Sequence, residues 1–283
     1  MSIADGKVCQ WVSWPDALEN FATYAGKTQS QEHIKPFHWY IACRLVLEGG
    51  FHPDNITPRP PFNVVSKGDK HYLHYAVTSA GGSELSILGG LKTKKVDIVV
   101  TKDGIGPVMA VSCKGMTGAL RNLTNRMEET IGECTNLHIT YPAMVFGYFF
   151  VLAAHRTFDA SMSSEVDENS PRANDIGLTK EGLPVPAVRR FYSALSELTG
   201  RHGIRNDFSR YEAITLALIE SREGAAGVLL ADFPPNDSPL NFKRFFSTLY
   251  QRYEERYVYG APDLKSITQR LEWAPESPVF DRS

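Results

Sequence analysis

With 283 residues, 42% hydrophobic and 22% charged, the chain is long enough to bury one large α/β core. A formal net charge of -2 excludes a uniformly basic nucleic-acid coat, though not an enzyme that gathers its cations in one cleft. No run of about 18 apolar residues occurs, so no transmembrane helix and no membrane partner are expected.

In chain order, residues 1–30 are polar and carry no charged-then-apolar leader, so a secretory signal is not expected. Residues 31–48 place Ile34, Phe37, Ile41, Leu45 and Val46 at helical spacing, with Pro36 in the first turn and Gly49-Gly50 as the stop. Residues 53–63 are a proline-rich loop and 70–77 a strand. Glycines at 81–82 and 89–90 bracket a short element, SELSIL. The runs KVDIVV (95–100) and PVMAVSCK (107–114) are strands joined through Asp103-Gly104, a hairpin signal. Residues 116–134 repeat Leu120, Leu123, Met127, Ile131 and Cys134 at helical intervals, and 143–153 read as a buried strand. Residues 159–186 are polar and acidic with three prolines, a linker composition. Beyond them, 187–198 and 208–221 read as helices, 226–233 as a strand and 240–258 as a long amphipathic helix. The expectation is a single domain over 1–283, with a core at about 84–153 and a C-terminal helical and strand extension at about 187–283. A mixed sheet sandwiched by helices follows from this order.

Four cysteines, Cys9, Cys43, Cys113 and Cys134, are scattered without CxxC spacing. Neither zinc nor a disulfide framework is indicated, and a reduced, cytoplasmic protein is expected. GxxxxGK[ST], GxGxxG and HxxxH are absent, which argues against a nucleotide cradle or a zinc hydrolase.

What remains is a set of polar residues on apolar elements. Ser112 and Lys114, two apart on one strand, share a face, and Asp97 lies on the paired strand. Hard carboxylate oxygens suit Mg²⁺, and a lysine beside them can orient water and balance charge on a phosphoryl group. An ordinary surface ion pair is the plainer reading of the same Asp97 and Lys114.

Asp97 followed across a hairpin by Ser112-Cys113-Lys114 resembles the PD-(D/E)xK nuclease superfamily. Val96 stands in place of the motif's proline and Ser112 in place of its second acid. A subgroup of type II restriction endonucleases has the same (S/T)-x-K form, with the missing acid supplied by the following helix. That resemblance spans residues 84–153 and implies a restriction-endonuclease-like α/β fold and a Mg²⁺-dependent endodeoxyribonuclease. It also implies double-stranded DNA as partner, restriction-modification as the setting and a homodimer. Asp97 and Glu128 would hold the metal with Glu84 as a further acid, Lys114 would orient the attacking water, and Ser112 would occupy the exchanged position. Glu128 is preferred to Glu129 because it lies about 100° from Met127, the centre of the apolar stripe, against about 200°. Glu48 is another upstream acid. Of the Arg-x-Asp-Arg cluster that reads CCGG in that subgroup only Arg121 is matched, so that readout is not expected.

DNA contacts are expected from Arg121, Asn122, Asn125 and Arg126, largely off the apolar stripe, since Arg and Asn bind both base edges and phosphates. Arg201 and Arg205, in a basic loop thought to enter a helix, form a second candidate group. A non-catalytic DNA-binding module on the same fold, or an interaction protein with an incidental Asp–Lys pair, are the alternatives.

Overall fold

The computed structural model describes residues 13–26, 31–118, 120–157, 175–220 and 225–280. Cys9 and the greater part of the expected linker, residues 158–174, lie outside these.

Helix α1 (Trp14–Thr23) starts where the Ser13 side chain accepts the Asp16 N–H, with Pro15 in the first turn. It buries Ala17, Leu18 and Phe21 and was not anticipated. Helix α2 (Lys35–Leu47) begins with Pro36 as expected and is buried on most sides, from Phe37 to Val46. A two-residue strand β1 (Ile56–Thr57) follows, then two small antiparallel hairpins. The first is β2 (Phe62–Lys67) with β3 (Lys70–Tyr75), the second β4 (Leu85–Leu88) with β5 (Thr93–Val96).

Strands β6 (Ile98–Lys102) and β7 (Gly106–Met116) form the hairpin that Asp103-Gly104 signalled, with Gly104 at φ 75° and Gly106 at φ 90°. Helix α3 (Leu123–Thr140) crosses from β7 to β8 (Val145–Arg156). After β9 (Ile176–Leu178) come α4 (Pro186–Glu197), β10 (Ala213–Glu220) and α5 (Phe242–Tyr253), the last continuing as a π-turn through Tyr259.

The main sheet runs β1-β6-β7-β8-β10, with β9 beside the end of β8. β6 and β7 are antiparallel, while β7–β8 and β8–β10 are parallel. This mixed sheet between helical layers is α/β and compatible with the restriction-endonuclease-like arrangement expected. Along β8 the odd residues Val145, Phe149, Val151 and Ala153 join the α1/α2/α5 side of the core, and the even residues Phe146 to Ala154 join the α3/α4 side. The same alternation on β7 sends Ser112 and Lys114 towards α3.

Three elements differ from expectation. Residues 213–220, expected within a helix, are a strand whose eight residues are all buried. A strand covered on both faces shows no alternation, so its apolar run resembles a buried helix. Residues 226–233, expected as a strand, are turns with a single bridge, Ile219–Leu229. The helix expected at 116–134 is shifted because β7 continues to Met116. Cys43, Cys113 and Cys134 are buried. Among the described residues no helix is long and apolar enough to cross a membrane.

Candidate functional site

Asp97 occupies the break between β5 and β6, one residue before Ile98, whose partner is Val111. Continuing that register puts Asp97 opposite Ser112. The break lets the buried carboxylate turn back on β7: Oδ2 accepts the Cys113 N–H at 2.7 Å and the Lys114 ammonium at 2.7 Å. The Ser112 hydroxyl lies 3.4 Å from the same oxygen. Asp97, Ser112 and Lys114 are therefore brought together as the sequence suggested.

The helix contributes a different acid. Glu133 of α3 is buried, and its Oε2 stands 3.0 Å from the Ser112 hydroxyl. A hydroxyl has one proton, and the shorter contact assigns it to Glu133. The other oxygen, Oε1, is buried without a hydrogen-bond partner, 3.7 Å from the Lys94 ammonium. Glu128 is exposed and lies about 140° round the helix from Glu133, so the structure does not bring it to this cluster as expected. The cause is the face α3 buries: Thr130, Glu133, Asn136 and His138 lie inside with Leu123, Cys134 and Leu137, while Ile131 is 39% exposed. A stripe drawn through apolar residues alone was turned away from this polar inner face. The signal that could have found Glu133 was its position beside Cys134, on the stripe's own edge.

Glu84 sits one residue beyond the Leu85–Val96 pair, so register places it level with Asp97. It is half-buried and takes no part in the hydrogen bonds of the site. Glu48 is exposed and paired with Arg44 at 2.5 Å, and it takes no part in the contacts of this cluster. Sequence reasoning did not single out His38, from α2. Its Nε2 is buried without a hydrogen-bond partner and lies 3.9 Å from Asp97 Oδ1.

The charges are unevenly matched. Burial raises the Asp97 carboxyl, but the Lys114 ammonium, His38 and the Cys113 N–H together hold it below the usual range. Burial alone would lower Lys114, yet Asp97 and Glu133 hold it above the ordinary lysine value, so it stays an ammonium. Burial pushes Glu133 up, and Lys114 and Lys94 do not fully reverse this. His38 is lowered by burial and is neutral at pH 7. Burial pushes the Cys113 thiol well up, which leaves it an inert packing group.

Of the expected DNA-contacting residues, Arg121, Asn122 and Asn125 are exposed around the start of α3. Arg126 is half-buried and paired with Glu129 at 2.5 Å. Arg121 also lines a groove of about 890 Å³ between α3 and α4, with Met127, Phe191 and Arg190. Arg205 is exposed in its loop. Arg201 is fully buried and cannot reach DNA: it donates to Glu212 at 2.7 Å and to the carbonyls of Pro142 and Ile204. The loop enters strand β10 and not a helix, which also removes the helix N-terminus proposed there as a phosphate site.

Asp97 and Glu133 are hard oxygen donors, and Glu133 Oε1 is a buried oxygen that the protein itself leaves unsatisfied. That chemistry fits Mg²⁺, which takes one or two carboxylates and completes its shell with water and phosphate. Among the described residues no group of three or more His, Cys, Asp or Glu side chains is arranged to hold a metal ion. Comparison with protein-family models, curated proteins and solved structures gave no match.

Proposed function

We propose that the protein is a Mg²⁺-dependent endodeoxyribonuclease of the type II restriction kind. One observation carries this reading: Asp97, Ser112, Lys114 and Glu133 converge from two strands and a helix on one partly buried cluster with an unsatisfied carboxylate oxygen. Asp97 and Glu133 would hold the metal, which when bound supplies Lewis-acid stabilisation of the phosphate and a more acidic water.

The remaining work falls to the chain. Lys114 keeps 21% of its side chain exposed while its ammonium is anchored on the buried Asp97 carboxylate. Held protonated, it orients a water by donation and balances charge growing on phosphoryl oxygens; it does not act as the base. Ser112 is a positioning residue: its proton fixes Glu133 Oε2 and leaves Oε1 for another partner. Arg121, Asn122 and Asn125 provide donors on the exposed start of α3 for phosphate or base edges. One cluster per chain cuts one strand, so double-strand cleavage calls for two chains, and a homodimer is part of the proposal.

The test is direct. Purified protein is incubated with mixed-sequence duplex DNA and Mg²⁺, and the new ends are sequenced. Recurrent ends that vanish with EDTA support the reading; intact DNA in Mg²⁺ and in Mn²⁺ overturns it.

A further inference from the structure

The β4–β5 turn, residues 89–92, exposes apolar side chains beside the candidate site and is held there by hydrogen bonds to α3. Leu91 is 78% exposed, the most exposed large hydrophobic side chain among the described residues, and Leu88 is 65% exposed. Free leucines on a mobile loop would be unremarkable, but this turn is clamped to α3. The buried Asn136 side chain accepts the N–H groups of Leu91 at 2.8 Å and Lys92 at 3.0 Å, and donates to the Lys92 carbonyl at 2.8 Å. The Gly90 N–H donates to the Asn136 carbonyl at 2.8 Å. Gly89 and Gly90 are required by the close approach: an added Cβ would stand 2.1 Å from Asn136 Nδ2 and 2.2 Å from Ile139 Cγ2. Four hydrogen bonds and two glycines thus fix the backbone that presents Leu91.

The hairpin that carries it has charge of one sign. From Leu85 to Val96 the chain carries Lys92, Lys94 and Lys95 and no acidic residue. Lys92 and Lys95 are exposed and make no ion pair among the described residues. Lys94 reaches Glu133, so the turn adjoins the site, and Asn136 lies three residues on from Glu133 along α3. A rigid, slender tip with an apolar side chain flanked by cations suits a polyanion that offers an apolar interior. Duplex DNA does so at its base steps, where apolar side chains can wedge in from the minor groove while lysines meet the flanking phosphates.

We infer that the β4–β5 turn enters the minor groove of duplex DNA next to the cleavage site, with Leu91 as a wedge at a base step and Lys92 and Lys95 on phosphates. The inference rests on the nuclease reading and adds a groove, a contact and a deformation to it. Rigid presentation spares the ordering entropy that a flexible loop would lose on binding.

The experiment uses the full chain, Ca²⁺ in place of Mg²⁺, and duplexes carrying 2-aminopurine at successive steps. The wild-type protein should raise the fluorescence at a particular step by unstacking it. Leu91→Ala should abolish that rise and weaken binding by roughly tenfold or more, the scale set by burying a leucine. It should leave the salt dependence unchanged, while Lys92→Ala and Lys95→Ala should each lower the salt slope by about one. Circular dichroism and thermal melting, unchanged in Leu91→Ala, show that folding is intact. Equal affinity and equal fluorescence in Leu91→Ala and wild type overturn the inference while leaving the nuclease reading intact. A Leu91→Ala chain whose mass by light scattering halves, with DNA unstacking retained, assigns the turn to a second copy and also overturns it. A wild-type protein that neither binds nor cuts DNA removes both readings together.

Discussion

Two buried carboxylates on the α3 side of the sheet, Glu212 and Glu133, are handled in opposite ways. Glu212, at the residue before β10, accepts hydrogen bonds on both of its oxygens. Its Oε1 accepts Arg201 at 2.7 Å and Arg256 at 2.6 Å, its Oε2 accepts the Phe146 N–H at 2.7 Å, and His138 Nε2 lies 3.5 Å from Oε2. Burial opposes this charge, but His138, Arg256 and the Phe146 N–H bring its pKa down to about 2. The cluster ties the loop at 201–212, the start of β8 and the turn after α5 into one knot. Glu133 receives one hydroxyl proton and has Lys94 at 3.7 Å, but it also faces a second carboxylate and keeps one oxygen without a hydrogen-bond donor, and burial leaves its pKa raised. The Glu212 carboxylate has both oxygens satisfied within the fold, although Nε of Arg201 and Arg256 and Nε2 of His138 around it find no hydrogen-bond partner among the described residues. The Glu133 carboxylate does not: its Oε1 is a buried acceptor that no donor among the described residues satisfies, and so is open to an outside partner.

Mutations that remove charge should therefore move stability in opposite directions at the two places. The largest effect belongs to Glu212→Ala, which leaves two arginines buried with no carboxylate between them. We expect a loss of about 3–5 kcal/mol in urea unfolding, and a loss below about 1 kcal/mol would show the knot to be dispensable. At the other cluster, Glu133→Gln should cut DNA cleavage and metal affinity on the order of a hundredfold or more. It should also raise the melting temperature, because a neutral amide removes a charge that burial disfavours. Glu128→Gln should change neither. If cleavage falls in Glu128→Gln and survives in Glu133→Gln, the assignment of the helical acid is reversed.

The pH dependence sharpens the same contrast. Glu212 has its folded pKa depressed from the ordinary 4.5 to about 2. The stability it contributes is complete above about pH 4.5 and is lost as pH falls towards 2, roughly 3 kcal/mol in all. Acid unfolding followed by circular dichroism should lose most of this midpoint shift in Glu212→Gln. The smallest effect is that of Ser112→Ala, which removes one hydroxyl proton from Glu133 Oε2. It should cost about 1 kcal/mol in stability and reduce metal affinity measured by calorimetry, whereas Ser112→Thr, which keeps the hydroxyl, should restore both.

The residues that were legible in sequence are those whose positions follow from local rules. Asp103-Gly104 set the β6–β7 hairpin, alternation put Ser112 and Lys114 on one face, and hairpin pairing brought Asp97 to them. Pro36 and Gly49-Gly50 bounded α2 closely enough to predict it. Strand β10 was missed because burial on both faces erases the period that separates strand from helix.

The sequence alone determined the α/β class, the β6–β7 hairpin and the Asp97–Ser112–Lys114 group, because each depends on neighbours a few residues apart or on one turn. Only the tertiary structure decided which acid completes the group. The rotation of α3 is set by what β7, the β4–β5 turn and the Glu212 knot require of it, and they require Glu133, Asn136 and His138 inside. The same packing took Arg201 out of solvent and gave it to Glu212. A helical stripe counts apolar side chains, whereas the buried face of α3 was chosen by polar partners distant in the chain, and no local pattern records them.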